Sequence, residues 1–210
     1  MASRLVYVMD PLCSWCWGFA PVASGLFAQA AAAGVETHVV MGGLRTGQTA
    51  LDEGTRARIL EHWHSVHEAT GQPFTFEGAM PPGFVYNTEP ACRAVVAARQ
   101  VDPAQALTMA QAIASAFYQH GEDVTRTSVL VDLAESIGLP RARFAEAFDA
   151  HATLEATQAD FTWSHDLGIS GFPTVLAERN RQFALLTNGY QPLEDLAPLL
   201  ARWLGRATAL

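Results

Sequence analysis

Two cysteines lie three residues apart near the start of the sequence, in the segment Cys13-Ser14-Trp15-Cys16. An apolar, strand-like run precedes them and a helix is predicted to begin at Cys13, which places the two thiols one helical turn apart and within reach of a disulfide. Unpaired amide groups at a helix N-terminus favour a thiolate, the attacking species in thiol–disulfide exchange. We therefore expect Cys13 to be a nucleophile and Cys16 to be a resolving thiol.

The cysteines also allow two other interpretations. Half of a zinc site would need two further ligands, and His62, His64 and His67 are the nearest candidates in the sequence. Helical geometry separates the first two histidines by about 200°, so we expect a solvated helix face and predict no metal site. A pair of inert, buried cysteines would need neither this spacing nor a helix start. The remaining cysteine, Cys92, is expected to be a packed core thiol on a helix.

A second notable segment, Gly171-Phe172-Pro173-Thr174, precedes a predicted strand. An X-Pro bond is where a cis peptide costs least. A cis bond here would expose the backbone groups of Phe172 beside the cysteine pair, and an extended substrate could pair with them. We predict that Phe172, Pro173 and Thr174 contact substrate together with Trp15.

The elements that must position these residues alternate between strand and helix at both ends of the chain. Predicted strands are Leu5–Met9, Thr37–Met41, Pro173–Ala177 and Phe183–Thr187. Helical spacing predicts helices over 13–34 with a kink at Pro21, and over 51–70, 88–100, 103–119, 127–138, 140–149, 152–167 and 192–205. The order is β-α-β, a long helical region, then β-β-α. It predicts one unit formed by residues 1–47 and 167–210, with residues 48–166 as a helical insertion.

The composition excludes several classes of protein. Half of the 210 residues are hydrophobic, too many for a disordered chain. A formal net charge of −8 disfavours a nucleic-acid binder. No charged residue occurs from Pro11 to Val35, but prolines and polar residues interrupt the apolar character, so we predict neither a membrane span nor a leader. We expect a cytoplasmic chain without membrane contact, in which this stretch is the active-site loop and a buried helix.

Three segments together resemble the DsbA family, in particular its branch of predicted protein-disulfide isomerases and FrnE-like proteins. They are the residues from Asp10 to Phe19, Asn87-Thr88 with the helix that follows, and the residues from Gly168 to Thr174. The resemblance covers essentially the whole chain. It implies an α/β thioredoxin-like fold with a large helical insertion, and a thiol–disulfide oxidoreductase or protein-disulfide isomerase working through a mixed disulfide. It also implies that Cys13 is the nucleophile, Cys16 its partner and Pro173 a cis-proline in the substrate groove.

Related branches of this superfamily offer alternatives. The 2-hydroxychromene-2-carboxylate isomerases and kappa-class glutathione transferases are similar in fold and bind glutathione, but they typically lack the intact cysteine pair. A glutathione-dependent isomerase or transferase is therefore one alternative, and a non-catalytic zinc-binding module is another. For the leading interpretation we expect no bound cofactor. The expected substrates are a disulfide-containing protein or a small-molecule thiol, and glutathione is a candidate co-substrate.

Overall fold

A computed structural model describes residues 3–205, which form a four-stranded mixed sheet and surrounding helices. The strands are β1 (Ser3–Met9), β2 (Glu36–Met41), β3 (Thr174–Arg179) and β4 (Gln182–Asn188), in the order β2-β1-β3-β4. The central strand β1 runs parallel to β2 and antiparallel to β3, which pairs antiparallel with β4. This arrangement confirms the predicted thioredoxin-like order of elements.

Helices connect and cover the strands. Between β1 and β2 lie α1 (Ser14–Gly18) and α2 (Ala20–Ala32). Between β2 and β3 lie α3 (Glu53–Thr70), α4 (Glu89–Val101), α5 (Ala106–Tyr118), α6 (Thr127–Ser136), α7 (Arg141–Asp149) and α8 (His151–Asp166). After β4 comes α9 (Leu193–Gly205). Within residues 3–205, no helix is both long and apolar enough to cross a membrane.

The first connection differs from the single kinked helix that the sequence predicts. Two helices, α1 and α2, meet at Phe19, whose backbone remains close to helical. Pro21 has no amide hydrogen to donate to the carbonyl of Trp17, four residues earlier. The side-chain amide of Gln72 donates to that carbonyl instead, at 2.9 Å. The proline thus ends one helix and frees an acceptor that joins α1 to the loop after α3.

Smaller departures concern the ends of elements. The predicted helix over 103–119 begins as a 3₁₀ turn, Pro103–Gln105, before α5. Helix α3 starts at Glu53 because Asp52 is its N-cap, with the carboxylate accepting from the Thr55 amide at 2.8 Å. Differences of one or two residues at helix ends are common. The other predicted strands and helices are confirmed with similar shifts at their ends.

The two faces of the sheet have different neighbours. One face packs against α2 and α9. Its side chains belong to a single large apolar core that also includes the helices between β2 and β3. The other face is smaller, contains Val6, Val8, Val40 and Leu176, and packs against Trp163 of α8 and against Phe172. The helical region and the sheet are therefore joined by shared apolar packing.

An ion pair adds a polar connection between the helical region and the sheet. Arg99 of α4 and Asp160 of α8 bond through both guanidinium nitrogens, at 2.9 and 3.1 Å. Asp160 also accepts from the backbone amide of Met41, and Arg99 donates to the carbonyl of Val39. Both side chains are largely buried. Two helices distant in the sequence are thereby held against the edge strand β2.

Candidate active site

Cys13 lies at the turn between β1 and α1, where it is the N-cap residue of α1. Its amide donates to the Asp10 carbonyl at 3.0 Å, and its carbonyl accepts from Trp17, also at 3.0 Å. These backbone bonds fix the cysteine at the start of the helix. Cys13 is 7% exposed, and its thiol points to the Phe172 carbonyl, with 3.7 Å between sulfur and oxygen. The structure thus brings together the two segments that the sequence singles out.

The Phe172–Pro173 peptide bond is cis. Phe172 lines the cavity in front of Cys13, whereas Pro173 and Thr174 are buried. The Thr174 hydroxyl donates to the Gly171 carbonyl at 2.8 Å and lies 3.1 Å from the side-chain oxygen of Asn188. Of the residues predicted to contact substrate, Trp15 and Phe172 line the cavity, whereas Pro173 and Thr174 are buried, and Thr174 bonds within the loop.

Cys16 is buried more deeply than its partner in the motif. It lies one turn further along α1 and is 2% exposed. Burial raises the pKa of the Cys16 thiol well above its usual range, and the nearby Cys13 sulfur raises it further. Tyr7 on β1 is buried in the same core beside the two cysteines, and burial raises the pKa of its hydroxyl well above the usual range. The two cysteines are therefore chemically unequal, and only Cys13 faces the cavity.

A buried polar cluster behind Cys13 was not predicted from the sequence. The carboxylate of Asp10 accepts hydrogen bonds from the amides of Leu12 (2.9 Å) and Leu44 (2.7 Å), from the Thr88 hydroxyl (2.6 Å) and from the Cys92 thiol (3.4 Å). Burial nevertheless raises the pKa of Asp10, because desolvation outweighs the hydrogen bonds that lower it. The cluster fixes the turn before Cys13 to the loop after β2 and to α4.

The third cysteine belongs to that cluster. Cys92 is fully buried on α4, as predicted for a core thiol, but it also donates to a carboxylate. Burial raises the pKa of its thiol well above the usual range, and the neighbouring Asp10 adds to the effect. In the sequence, only Asn87-Thr88 pointed to this region. The two residues were part of the family resemblance, but no contact was predicted for them.

A cavity of about 530 Å³ opens in front of Cys13, between the active-site turn and α3. Its walls combine apolar and aromatic side chains with a few polar ones: Leu12, Cys13, Ser14, Trp15, Leu44, Arg45, Thr55, Arg58, Ile59, His62, Trp63, Tyr86, Ser170, Gly171 and Phe172. Cavities of this size and composition are typical of small-molecule sites. The indole of Trp15 lies between the rings of His62 and Tyr190, with centroids 5.9 Å apart in both cases.

The three histidines of α3 do not converge. His62 faces the cavity, whereas His64 stacks on Phe76 with ring centroids 3.9 Å apart, and His67 contacts Phe74 and Phe76 edge-on. In the described range, 3–205, no group of three or more His, Cys, Asp or Glu residues is arranged to hold a metal ion. His62, His64 and His67 are exposed, as expected for a solvated helix face, and His64 and His67 also contact aromatic residues of the connection between α3 and α4.

The unequal exposure of the cysteines predicts selective alkylation. At neutral pH, iodoacetamide should modify Cys13 in the folded, reduced protein and leave Cys16 and Cys92 unmodified, because only a thiolate that the reagent can reach reacts. Peptide mass spectrometry after brief labelling measures the modified fraction at each site, and denatured protein, in which all three cysteines should react, is the control. Equal labelling of Cys13 and Cys16 in the folded protein would contradict this geometry.

Two solved structures of disulfide-exchange proteins are similar to this chain over nearly its whole length. A crystal structure of a proposed protein disulfide isomerase from Nitrosomonas europaea is 43% identical, with a TM-score of 0.90 over 98% of this chain and 99% of that one. The cytosolic disulfide reductase DsbM from Pseudomonas aeruginosa is 30% identical, with a TM-score of 0.79 over 95% and 98% of the two chains, and has also been solved with GSH.

More distant similarity is confined to the fold. A 2-hydroxychromene-2-carboxylate isomerase superposes with a TM-score of 0.62 at 15% identity, over 98% of this chain and 96% of that chain. No curated protein matches the sequence. The model of the DSBA-like thioredoxin domain matches residues 4–201. With the cysteine pair and the cis-proline loop brought together on a thioredoxin-like sheet, the chain belongs to the family of DSBA-like thioredoxin domains.

Proposed function

We propose that this protein is a thiol–disulfide oxidoreductase that uses Cys13 as its nucleophile and Cys16 as its resolving thiol. The observation that carries the proposal is the position of Cys13. Its sulfur lies at the cavity wall and against the Phe172 carbonyl, while Cys16 is buried one helical turn behind it. This is the arrangement that a two-step exchange with an external disulfide requires.

The proposed reaction has two steps. The Cys13 thiolate attacks one sulfur of a substrate disulfide, forming a mixed disulfide and releasing the other sulfur as a thiolate. Cys16, after losing its proton, attacks the Cys13 sulfur, which releases the second substrate thiolate and leaves a Cys13–Cys16 disulfide. Two external thiols then reduce the pair and become a disulfide themselves. The substrate gains two electrons, and the external thiols supply them.

The burial of Cys16 gives the two steps their order. Because its pKa is raised, Cys16 reacts poorly with external reagents. The Cys13 sulfur of a mixed disulfide is one turn away, so the second step is intramolecular and benefits from a high effective concentration. The substrate therefore meets Cys13 first, and Cys16 acts on the intermediate.

We also propose that the protein is cytoplasmic and that glutathione is its co-substrate. Supporting this, the 30%-identical DsbM is a cytosolic disulfide reductase whose structure has been solved with GSH. The cavity in front of Cys13 has a volume compatible with a tripeptide thiol. In a reducing cytosol, glutathione would return the Cys13–Cys16 disulfide to the dithiol.

The experiment that tests the proposed function is redox equilibration. Wild-type protein is incubated in buffers of increasing glutathione disulfide to glutathione ratio and quenched with acid. Peptide mapping then identifies the bonds formed. We expect a single Cys13–Cys16 disulfide with a defined reduction potential, and reduction of a small disulfide at the expense of glutathione. Absence of both would contradict the proposal. Glutathione-dependent conversion of an aromatic substrate that survives Cys16→Ser would favour the isomerase alternative.

Gly42 leaves room for the Phe172 ring, and a substitution at this glycine gives a specific prediction. A Cβ at Gly42 would lie 2.0 Å from the Phe172 ring, so Gly42→Ala must displace that side chain, which lines the cavity in front of Cys13. We expect kcat/KM for disulfide reduction to fall by about tenfold or more, since catalysis is sensitive to displacements of about 1 Å. Gly47→Ala is the matched control, because a Cβ at Gly47 has no neighbour within 4 Å. Equal kcat/KM values for the two variants would show that activity does not depend on the position of the Phe172 ring.

A further inference from the structure

The charges around the cavity are unlike those of the chain as a whole. Asp and Glu outnumber Lys and Arg by 21 to 13 in the sequence. The lining of the cavity nevertheless contains Arg45, Arg58 and His62 and no acidic side chain. An acidic protein thus presents a cationic site at its candidate nucleophile.

Backbone contacts fix the position of Arg45 at the cavity mouth. Its amide donates to the Thr88 hydroxyl at 3.3 Å, and its carbonyl accepts from the Thr88 amide at 2.7 Å. The guanidinium lies over the ring of Tyr86, with 5.3 Å to the centroid. The backbone of Arg45 is therefore fixed at the cavity mouth, while its exposed guanidinium, beside the Tyr86 ring, is available to an anion.

Arg58 approaches the cavity from α3. One of its guanidinium nitrogens donates to the Thr55 hydroxyl at 3.0 Å. The nearby carboxylate of Asp52 accepts from the amide and the hydroxyl of Thr55 and also interacts with the charge of Arg58, although no salt bridge joins the two side chains. Neither Arg45 nor Arg58 forms a salt bridge with a carboxylate of residues 3–205. Among residues 3–205, Arg4, Arg93, Arg99 and Arg141 pair with acidic side chains, whereas Arg56 and Arg179 bond to backbone carbonyls.

We propose that Arg45 and Arg58 select small disulfide substrates that carry carboxylates. A guanidinium presents its donors in a planar fork that matches a carboxylate. The apolar part of such a substrate would lie along Trp15 and Ile59, with its sulfur at Cys13. This inference rests on the proposed thiol–disulfide exchange and names the class of substrate for that site.

Three small disulfides that differ in charge test the selection. They are 3,3′-dithiodipropionate with two carboxylates, 2-hydroxyethyl disulfide with no charge, and cystamine with two ammonium groups. Uncharged dithiothreitol serves as the reductant, so that no anionic thiol competes for the cavity. The proteins are wild type, the double variant Arg45→Gln/Arg58→Gln, and the control Arg143→Gln, which removes one exposed positive charge on α7. The ratio of wild-type to variant kcat/KM cancels the intrinsic reactivity of each disulfide.

We expect the double variant to lose about tenfold more kcat/KM with the dianion than with the uncharged disulfide, because two charge-assisted contacts are removed. Its activity with cystamine should rise relative to the uncharged disulfide. Arg58→Lys, which keeps the positive charge, should retain most of the preference, and Arg143→Gln should retain all of it. In the wild type, raising the ionic strength should reduce the preference for the dianion, because salt screens exposed charges.

Equal wild-type to variant ratios for all three disulfides, or a wild-type preference that does not change with salt, would overturn the selection and leave the proposed function standing. Failure of the wild type to reduce any of the three would overturn both. If the double variant does not fold, as judged by circular dichroism, Arg58→Lys and the salt dependence of the wild type decide the question.

Discussion

Cys13→Ser should reduce turnover of every disulfide substrate by at least about a thousandfold, because a serine hydroxyl is not ionised near neutral pH and cannot replace the thiolate. Cys16→Ser should behave differently. The first attack remains possible, so the mixed disulfide forms but is not resolved within the protein, and steady turnover then depends on external thiol. The measurement is reduction of 2-hydroxyethyl disulfide by glutathione, followed both in the first turnover and at steady state.

Cys92→Ser provides the matched control for these variants. It removes the remaining thiol, and the serine hydroxyl can still donate to the carboxylate of Asp10. Since Cys92 is fully buried and does not line the cavity, this variant should retain turnover. A loss in Cys92→Ser as large as that in Cys13→Ser, with the fold intact, would contradict the assignment of the nucleophile.

Arg99→Met should lower the free energy of unfolding by about 3–5 kcal/mol, the usual cost of removing one partner of a buried ion pair. Asp160 would remain with 12% of its side chain exposed and without its cation. The amide of Met41 alone would then bond to its carboxylate. Urea denaturation followed by tryptophan fluorescence measures the change.

Two further variants make this prediction specific. Arg99→Met/Asp160→Asn should be less destabilised than Arg99→Met alone, because no uncompensated charge stays buried. Arg141→Met is the surface control. Its side chain is 48% exposed and pairs with exposed Asp132 and Glu135, so its loss should cost less than about 1 kcal/mol. Similar costs for Arg99→Met and Arg141→Met would show that the buried pair does not stabilise the contact between the helices and β2.

Local patterns in the sequence identify much of the fold. The runs Leu5–Met9 and Thr37–Met41 are almost continuously apolar because both faces of the sheet are covered. Successive side chains along each strand point to opposite faces. The spacing of Cys13 and Cys16 and the Gly-Phe-Pro-Thr segment are short-range signals as well. That these two segments meet followed from the family resemblance and the order of elements, and the structure places them 3.7 Å apart between sulfur and carbonyl oxygen.

The rest of the site could not be predicted because it depends on contacts between residues distant in the sequence. In the sequence, Asp10 stood out only as the start of the segment that resembles the DsbA family, yet it accepts hydrogen bonds from Thr88 and Cys92, on a different part of the chain. Helical periodicity placed Arg58 and His62 on α3 without indicating that this helix faces Cys13. Periodicity reports which face of an element is buried, but not which partner buries it.

The role of Cys13 as nucleophile is tested most directly by identifying which cysteine carries the substrate. Cys16→Ser is incubated with 2-hydroxyethyl disulfide, quenched with acid, digested and mapped by mass spectrometry. We expect one mercaptoethanol adduct, on Cys13, and no adduct on Cys92. In the wild type, the same treatment should give the Cys13–Cys16 disulfide instead. An adduct on Cys16 in Cys13→Ser that forms as fast as the adduct on Cys13 in Cys16→Ser, or no adduct at either position, would contradict the central claim that Cys13 is the nucleophile.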